Sequence, residues 1–266
     1  MSELFHMVFF RNAFVMSLLL SLLFGLLSFF IVMRRMTFLG AGIAHTAFGG
    51  VALGVLLGIH PFYSSLVFCL VSALLIGKLV KYGNISYDTG IGIFFSFSMA
   101  LGVLFIALKK AYTFDLSGYL FGNILGVTQT DLFLSLGAVL LFIPFLAIFF
   151  QQILFMTFEE KVASVSGVRT DMLDTLLLIF LAVIIVVSIK IVGIILVSAL
   201  VVLPASFGRL LSNDYRKVIT GGIGYTLFIM VGGLFLSYYL DSPAGATMVV
   251  LGTCVYFLGL IVKRSR

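Results

Sequence analysis

Apolar runs of about 20 residues, each able to cross a ~30 Å hydrocarbon layer as a helix, recur along the whole chain. A backbone inside lipid must satisfy its own hydrogen bonds, so runs of this kind fold as helices. Nine segments qualify: about 12–33, 37–59, 61–80, 88–108, 131–155, 172–189, 191–210, 218–239 and 243–262. The longest polar stretches, around 109–131, 156–171 and 212–217, leave no room for a soluble catalytic domain. Only 10% of residues are charged, against about 25% in an ordinary soluble domain. The expectation is an all-α polytopic membrane protein of about nine transmembrane helices, eight to ten, in a single domain over residues 1–266.

One stretch needs a second argument. Between residues 172 and 210 only Lys190 interrupts the apolar run. As one helix it would be ~58 Å long, nearly twice the bilayer. Split there, with the N-terminus outside and the C-terminus cytoplasmic, the nine-span chain has twelve basic residues inside: Arg34, Arg35, Lys78, Lys81, Lys161, Arg169, Arg209, Arg216, Lys217, Lys263, Arg264 and Arg266. Four lie outside: Arg11, Lys109, Lys110 and Lys190. Merging the two spans inverts everything after them and leaves six inside against nine outside, contrary to the positive-inside rule. The same distribution accounts for the net charge of +6 without any nucleic-acid partner. Cys69 and Cys254 both fall in apolar runs, form no CxxC pair, and read as small core residues.

Few polar groups enter the spans, and His45 is the notable one. It lies eight residues into the second run, roughly 12 Å inside the membrane, where an ionisable group usually serves a pathway or a ligand. Neutral imidazole is a common ligand for late first-row metals, so metal contact and proton carriage are both open, beside a plain hydrogen-bonding role. Small residues recur every fourth position in the same run, at Gly42, Thr46, Gly50, Gly54 and Gly58. Such a stripe lets a neighbouring helix approach closely and puts His45 beside a helix seam. His60, before Pro61, reads as a solvated turn, and His6 belongs to an exposed N-terminal arm. Pro204 interrupts another run and frees the carbonyl of Leu200, as a structural kink or beside a gate.

On the cytoplasmic side, Glu159 and Glu160 suit the start of a short helix and Gly167 the position just past its end. A helix there is a docking piece for a soluble partner. The stretch 111–130 is expected outside as a surface helix or re-entrant turn. The chain lacks a GxxxxGK[ST] loop, so it does not bind ATP in the P-loop manner, and it has no HExxH. Its aspartates Asp88, Asp131, Asp174 and Asp241 sit near span ends, whereas an ion-gradient-driven carrier would usually carry a carboxylate in mid-span.

Several pieces in fixed order resemble the metal-ion permease family of ABC importers, which take up zinc, manganese and iron in bacteria. They are Arg34-Arg-Met-Thr-Phe-Leu-Gly followed by Ala44-His45, Asp88-Thr-Gly-Ile-Gly-Ile93, Tyr119-Leu-Phe-Gly122, Lys190-Ile-Val-Gly193 through Ser198-Ala-Leu-Val-Val-Leu-Pro204-Ala, and Asp241-Ser-Pro-Ala-Gly-Ala-Thr247. The resemblance implies a type II importer-like permease of the bacterial plasma (inner) membrane. It also implies no catalysis by this chain, a separate ATPase subunit, an extracytoplasmic metal-binding protein and a second permease protomer. By the same resemblance His45 is the membrane metal ligand, one from each protomer, and Glu160, Ala163 and Gly167 belong to the coupling loop. Gly50, Gly54 and Pro204 are the packing or gating positions. No cofactor is held permanently; the metal is cargo, with zinc expected and manganese or iron(II) as the alternative. The family's usual Asp one turn before the histidine is Ala41 here.

Overall fold

The computed structural model describes residues 6–109 and 122–264. Among the described residues there are nine α-helices and no strand: α1 (Val8–Met33), α2 (Thr37–Leu57), α3 (Pro61–Gly83), α4 (Tyr87–Lys109), α5 (Gln129–Phe158), α6 (Glu160–Val165), α7 (Thr170–Leu211), α8 (Tyr215–Leu240) and α9 (Ala244–Arg264). A short 3₁₀ turn, Ile124–Gly126, precedes α5. Most of the stretch expected as a surface helix or re-entrant turn, residues 110–121, lies outside the described residues. All the helices except α6 are long and apolar enough to cross a membrane, giving eight elements.

Eight elements nevertheless supply nine crossings, because α7 is two helices. Its 42 residues would extend ~63 Å as a straight rod. Inside it Gly193 takes φ 78°, ψ 163°, a backbone conformation essentially confined to glycine. The levels of its two ends follow from α1. Asn12 near the start of α1 donates from Nδ2 to the Val127 carbonyl at 3.3 Å, just before Asp131, which pairs with Lys190. Val32 near the end of α1 lines one cavity with Arg209, Asn213 and Lys263. Asn12 and Val32 are ~30 Å apart along one helix. Lys190 and Arg209 therefore lie on opposite membrane faces, and the chain crosses once between them. The stretch from Thr170 to Val192 is itself ~34 Å of helix, which is the other crossing.

The break thus falls three residues beyond Lys190. Pro204, read from the sequence as a kink within the span 191–210, is a separate position. The backbone stays helical through Pro204, since the ring fixes φ at a helical value and costs one hydrogen bond. Gly222 of α8 lies directly against it: a Cβ at Gly222 would sit 3.1 Å from the Pro204 carbonyl oxygen.

The chain forms two compact units. The first comprises Met1–Arg35, Ser117–Ile143 and Val187–Arg266, and the second Met36–Leu116 and Pro144–Val186. In the first, α8 packs on α1 and α9 through glycines. A Cβ at Gly25 would come 2.7 Å from Ile223, and one at Gly233 would overlap Met248. In the second, α2 packs on both α3 and α4. Apolar burial gives little drive between helices in lipid, so close backbone approach and interhelical hydrogen bonds hold such pairs. Accordingly α1, α2 and α7 are mostly buried, while α3, α4 and α9 turn large apolar side chains outward. Cys69 is buried and its thiol lies 3.6 Å from the Ile43 carbonyl; Cys254 is exposed on α9, contrary to its reading as a core residue.

The outer end of the first unit is tied by charge. Lys190 Nζ reaches both oxygens of Asp131, at 2.8 and 2.9 Å, and Asp131 also accepts from the Thr128 amide and hydroxyl. The carboxylate is 9% exposed and the lysine about half. Between the exposed and buried limits, breaking such a pair costs about 2 kcal/mol. Asp131→Asn is expected to lower the thermal midpoint of the detergent-solubilised protein by about 5 °C. Following residual folded protein by size-exclusion chromatography after heating measures this.

Candidate functional site

Helix α2 offers one narrow opening. From Leu39 to Ala52 every residue is buried except Ala41 and His45, one helical turn apart on the same face. The exposed Phe38 precedes them on that side. The glycines account for the burial elsewhere. A Cβ on Gly42 would overlap Ile91 of α4, and one on Gly49 would lie 2.7 Å from the Ser98 carbonyl oxygen. Gly50 would meet Ser65 Cα at 2.6 Å and Gly54 the Ser64 Cβ at 2.9 Å, both on α3. Ser64 then donates its hydroxyl to the Gly50 carbonyl at 2.7 Å. Gly50 and Gly54 are therefore close-contact positions. Gly58 is not part of the stripe: it ends α2 at φ 70°, with open space around it.

His45 is held by two contacts. Its Nδ1 lies 2.8 Å from the Ala41 carbonyl oxygen, and its ring stands edge-on to Phe95 of α4 with centroids 5.0 Å apart. A carbonyl only accepts, so Nδ1 carries a proton, and in the neutral ring Nε2 keeps its lone pair. This is the tautomer of a metal ligand whose second nitrogen is fixed by an outer partner. Ser98, one turn along α4 from Phe95, is fully buried, and its hydroxyl has no partner among the described residues.

No group of three or more His, Cys, Asp or Glu suited to a metal ion occurs among the described residues. Helices α2 and α3 carry no acidic residue, and α4 carries only Asp88, ~10 Å along its axis from Phe95. Among the described residues, His45 therefore belongs to no closed set of three or more such side chains. His60 caps α3 instead, its Nδ1 accepting from the Phe62 amide at 3.3 Å, and His6 is exposed.

The cytoplasmic helix expected between Glu159 and Gly167 is present as α6. Ala163 is fully buried, and its carbonyl accepts from the Val168 amide at 3.0 Å. Gly167 follows at φ 87°, a left-handed position that favours glycine. Val162 and Val165 face outward, the latter 90% exposed. Just beyond, two side chains of α7 reach the cytoplasmic ends of other helices in the same unit. Asp171 pairs with Lys81 of α3 at 2.5 Å, and Asp174 accepts from the Tyr87 hydroxyl of α4 at 2.8 Å. Sequence reasoning missed these links. Their one signal was two aspartates three residues apart on one helix face.

A model of the ABC 3 transport family matches residues 6–263. The manganese transport system membrane protein MntC of Listeria innocua is 32% identical over 95% of this chain and 90% of its own length. The high-affinity zinc uptake system membrane protein ZnuB of Haemophilus influenzae is 31% identical over 96% of this chain and 97% of its own. Among solved structures, a chain of PsaBC from Streptococcus pneumoniae in complex with Fab superposes with a TM-score of 0.84 at 31% identity, covering 97% of this chain and 93% of that one. A metal-chelate type ABC transporter in an inward-facing conformation shares the fold at TM-score 0.73 and 15% identity. The chain belongs to the ABC 3 transport family, the multi-pass membrane permeases of metal-ion ABC transporters.

Proposed function

We propose that this chain is the single-domain permease subunit of an ATP-driven importer of divalent metal ions, with zinc as its cargo. The carrying observation is the Ala41–His45 opening, with Nδ1 tied back and Nε2 free to bind a metal. Two protomers would each present this window to a shared seam, giving two imidazoles to one ion. A closed four-ligand zinc site binds far more tightly, and loose binding suits an ion that must move on. ATP would be hydrolysed by a separate subunit seated against α6. A metal-binding protein would deliver cargo to the outer loops near 109–131 and 240–243, the first of which is only partly described.

Zinc follows from donor chemistry: imidazole suits zinc, whereas manganese favours carboxylate oxygen. Position 41 shares the window with His45 and holds no carboxylate. Manganese is the second reading, favoured by the name of the Listeria relative. The two separate in one experiment. Ala41→Asp is expected to shift transport preference from zinc toward manganese by about tenfold or more, measured as competitive uptake into proteoliposomes containing the full complex. An unchanged preference would remove position 41 from selectivity.

Coupling would run from α6 into the first turn of α7, and through Asp171 and Asp174 to α3 and α4. Helix α4 carries Phe95, which packs on His45. Tyr87→Phe removes one hydrogen bond and is expected to cut metal transported per ATP hydrolysed about threefold to tenfold. ATP turnover itself should persist.

A further inference from the structure

At the cytoplasmic end of the first unit, Val32, Ser206, Arg209, Leu210, Asn213, Tyr256 and Lys263 line an open concavity of about 320 Å³. We propose that it binds an anionic phosphate group, supplied by the headgroup of an acidic phospholipid in the inner leaflet. The lining holds two cations and three neutral side chains able to donate hydrogen bonds, and no acidic side chain. Lys263 donates to the Arg209 carbonyl at 3.3 Å, which fixes the ammonium beside the guanidinium's own backbone and leaves it two further protons.

Helix dipoles and the positive-inside rule explain why basic residues end α7 and α9. They do not explain why Arg209 and Lys263, from helices distant in sequence, converge with Asn213, Tyr256 and Ser206 on one concavity. Val32 and Leu210 add an apolar wall, on which the first carbons below a glycerol phosphate fit. Basic pockets between transmembrane helices on the cytoplasmic side are suited to acidic lipid headgroups. The site owes nothing to metal transport, so it stands or falls separately from the proposed function.

The test uses the permease purified with its ATPase partner, incubated with phosphatidylglycerol, with phosphatidylcholine, or with inorganic phosphate, and read by native mass spectrometry. Wild type is expected to retain phosphatidylglycerol over phosphatidylcholine. Arg209→Gln/Lys263→Gln should retain about thirtyfold less, a factor of about five per cation. Arg209→Lys/Lys263→Arg should retain it as wild type does, which separates lost charge from lost folding. Displacement of the lipid by millimolar inorganic phosphate would overturn the lipid as source and leave free phosphate as the ligand. Equal retention by wild type and the glutamine variant would overturn the site itself.

Discussion

Replacing Gly122 by valine is expected to abolish accumulation of folded protein. A Cβ at this position would overlap the Val192 carbonyl carbon and the Gly193 nitrogen, and would lie 2.6 Å from the Ile191 carbonyl oxygen. All three are backbone atoms at the break in α7, and they cannot step aside as a side-chain tip can. Gly122 itself has φ 69°, a conformation that penalises β-branched residues. The added strain and overlap together cost about 3 kcal/mol or more, a large part of a marginal stability. Gly193→Val should behave alike, since ψ 163° at positive φ is closed to it. Fluorescence-detected size-exclusion chromatography of tagged variants measures this. A wild-type monodisperse peak for Gly122→Val would mean that the contact between the turn and the break does not hold the outer end together.

The second large effect is functional. His45→Ala is expected to reduce metal uptake about 100-fold while leaving protein yield and ATP turnover near wild type. Among the described residues the ring makes one hydrogen bond, to a carbonyl of its own helix, and one edge contact with Phe95. Its loss therefore leaves no buried partner stranded, and the glycine contacts that hold α2 do not involve it. His45→Gln tests the same point more narrowly, keeping a polar side chain without the imidazole lone pair. Uptake near wild type in either variant would move the pathway away from α2.

How far the fold could be read in the sequence depended on which physical signal each feature leaves. Span positions follow from apolar run length, and the division of the 172–210 run follows from charge on its two sides. Charge puts the division at Lys190, and the break falls three residues later, at Gly193. Pro204 looks like a helix breaker, yet its fixed φ is helical and the chain runs through it. Gly193 is one of 27 glycines, and nothing in composition marks it as the one that breaks a membrane helix. At the site, His45 stood out because it is polar in an apolar run. Its orientation did not, because the Ala41 carbonyl that fixes it is backbone and leaves no residue-type signal. The glycine stripe announced close approach, but only the fold assigns Gly42 and Gly49 to α4, and Gly50 and Gly54 to α3. Cys254 was misread because α9 packs on one side only, which hydrophobicity alone does not reveal.

The central claim is that a transported metal ion touches His45 through Nε2. Zinc X-ray absorption of the purified permease, loaded at one zinc concentration as wild type and as His45→Ala, tests it directly. The difference spectrum is predicted to contain imidazole nitrogen at about 2.0–2.1 Å from zinc, present in wild type and absent in the variant. Identical spectra, or a wild-type signal from sulfur at about 2.3 Å, would contradict the account.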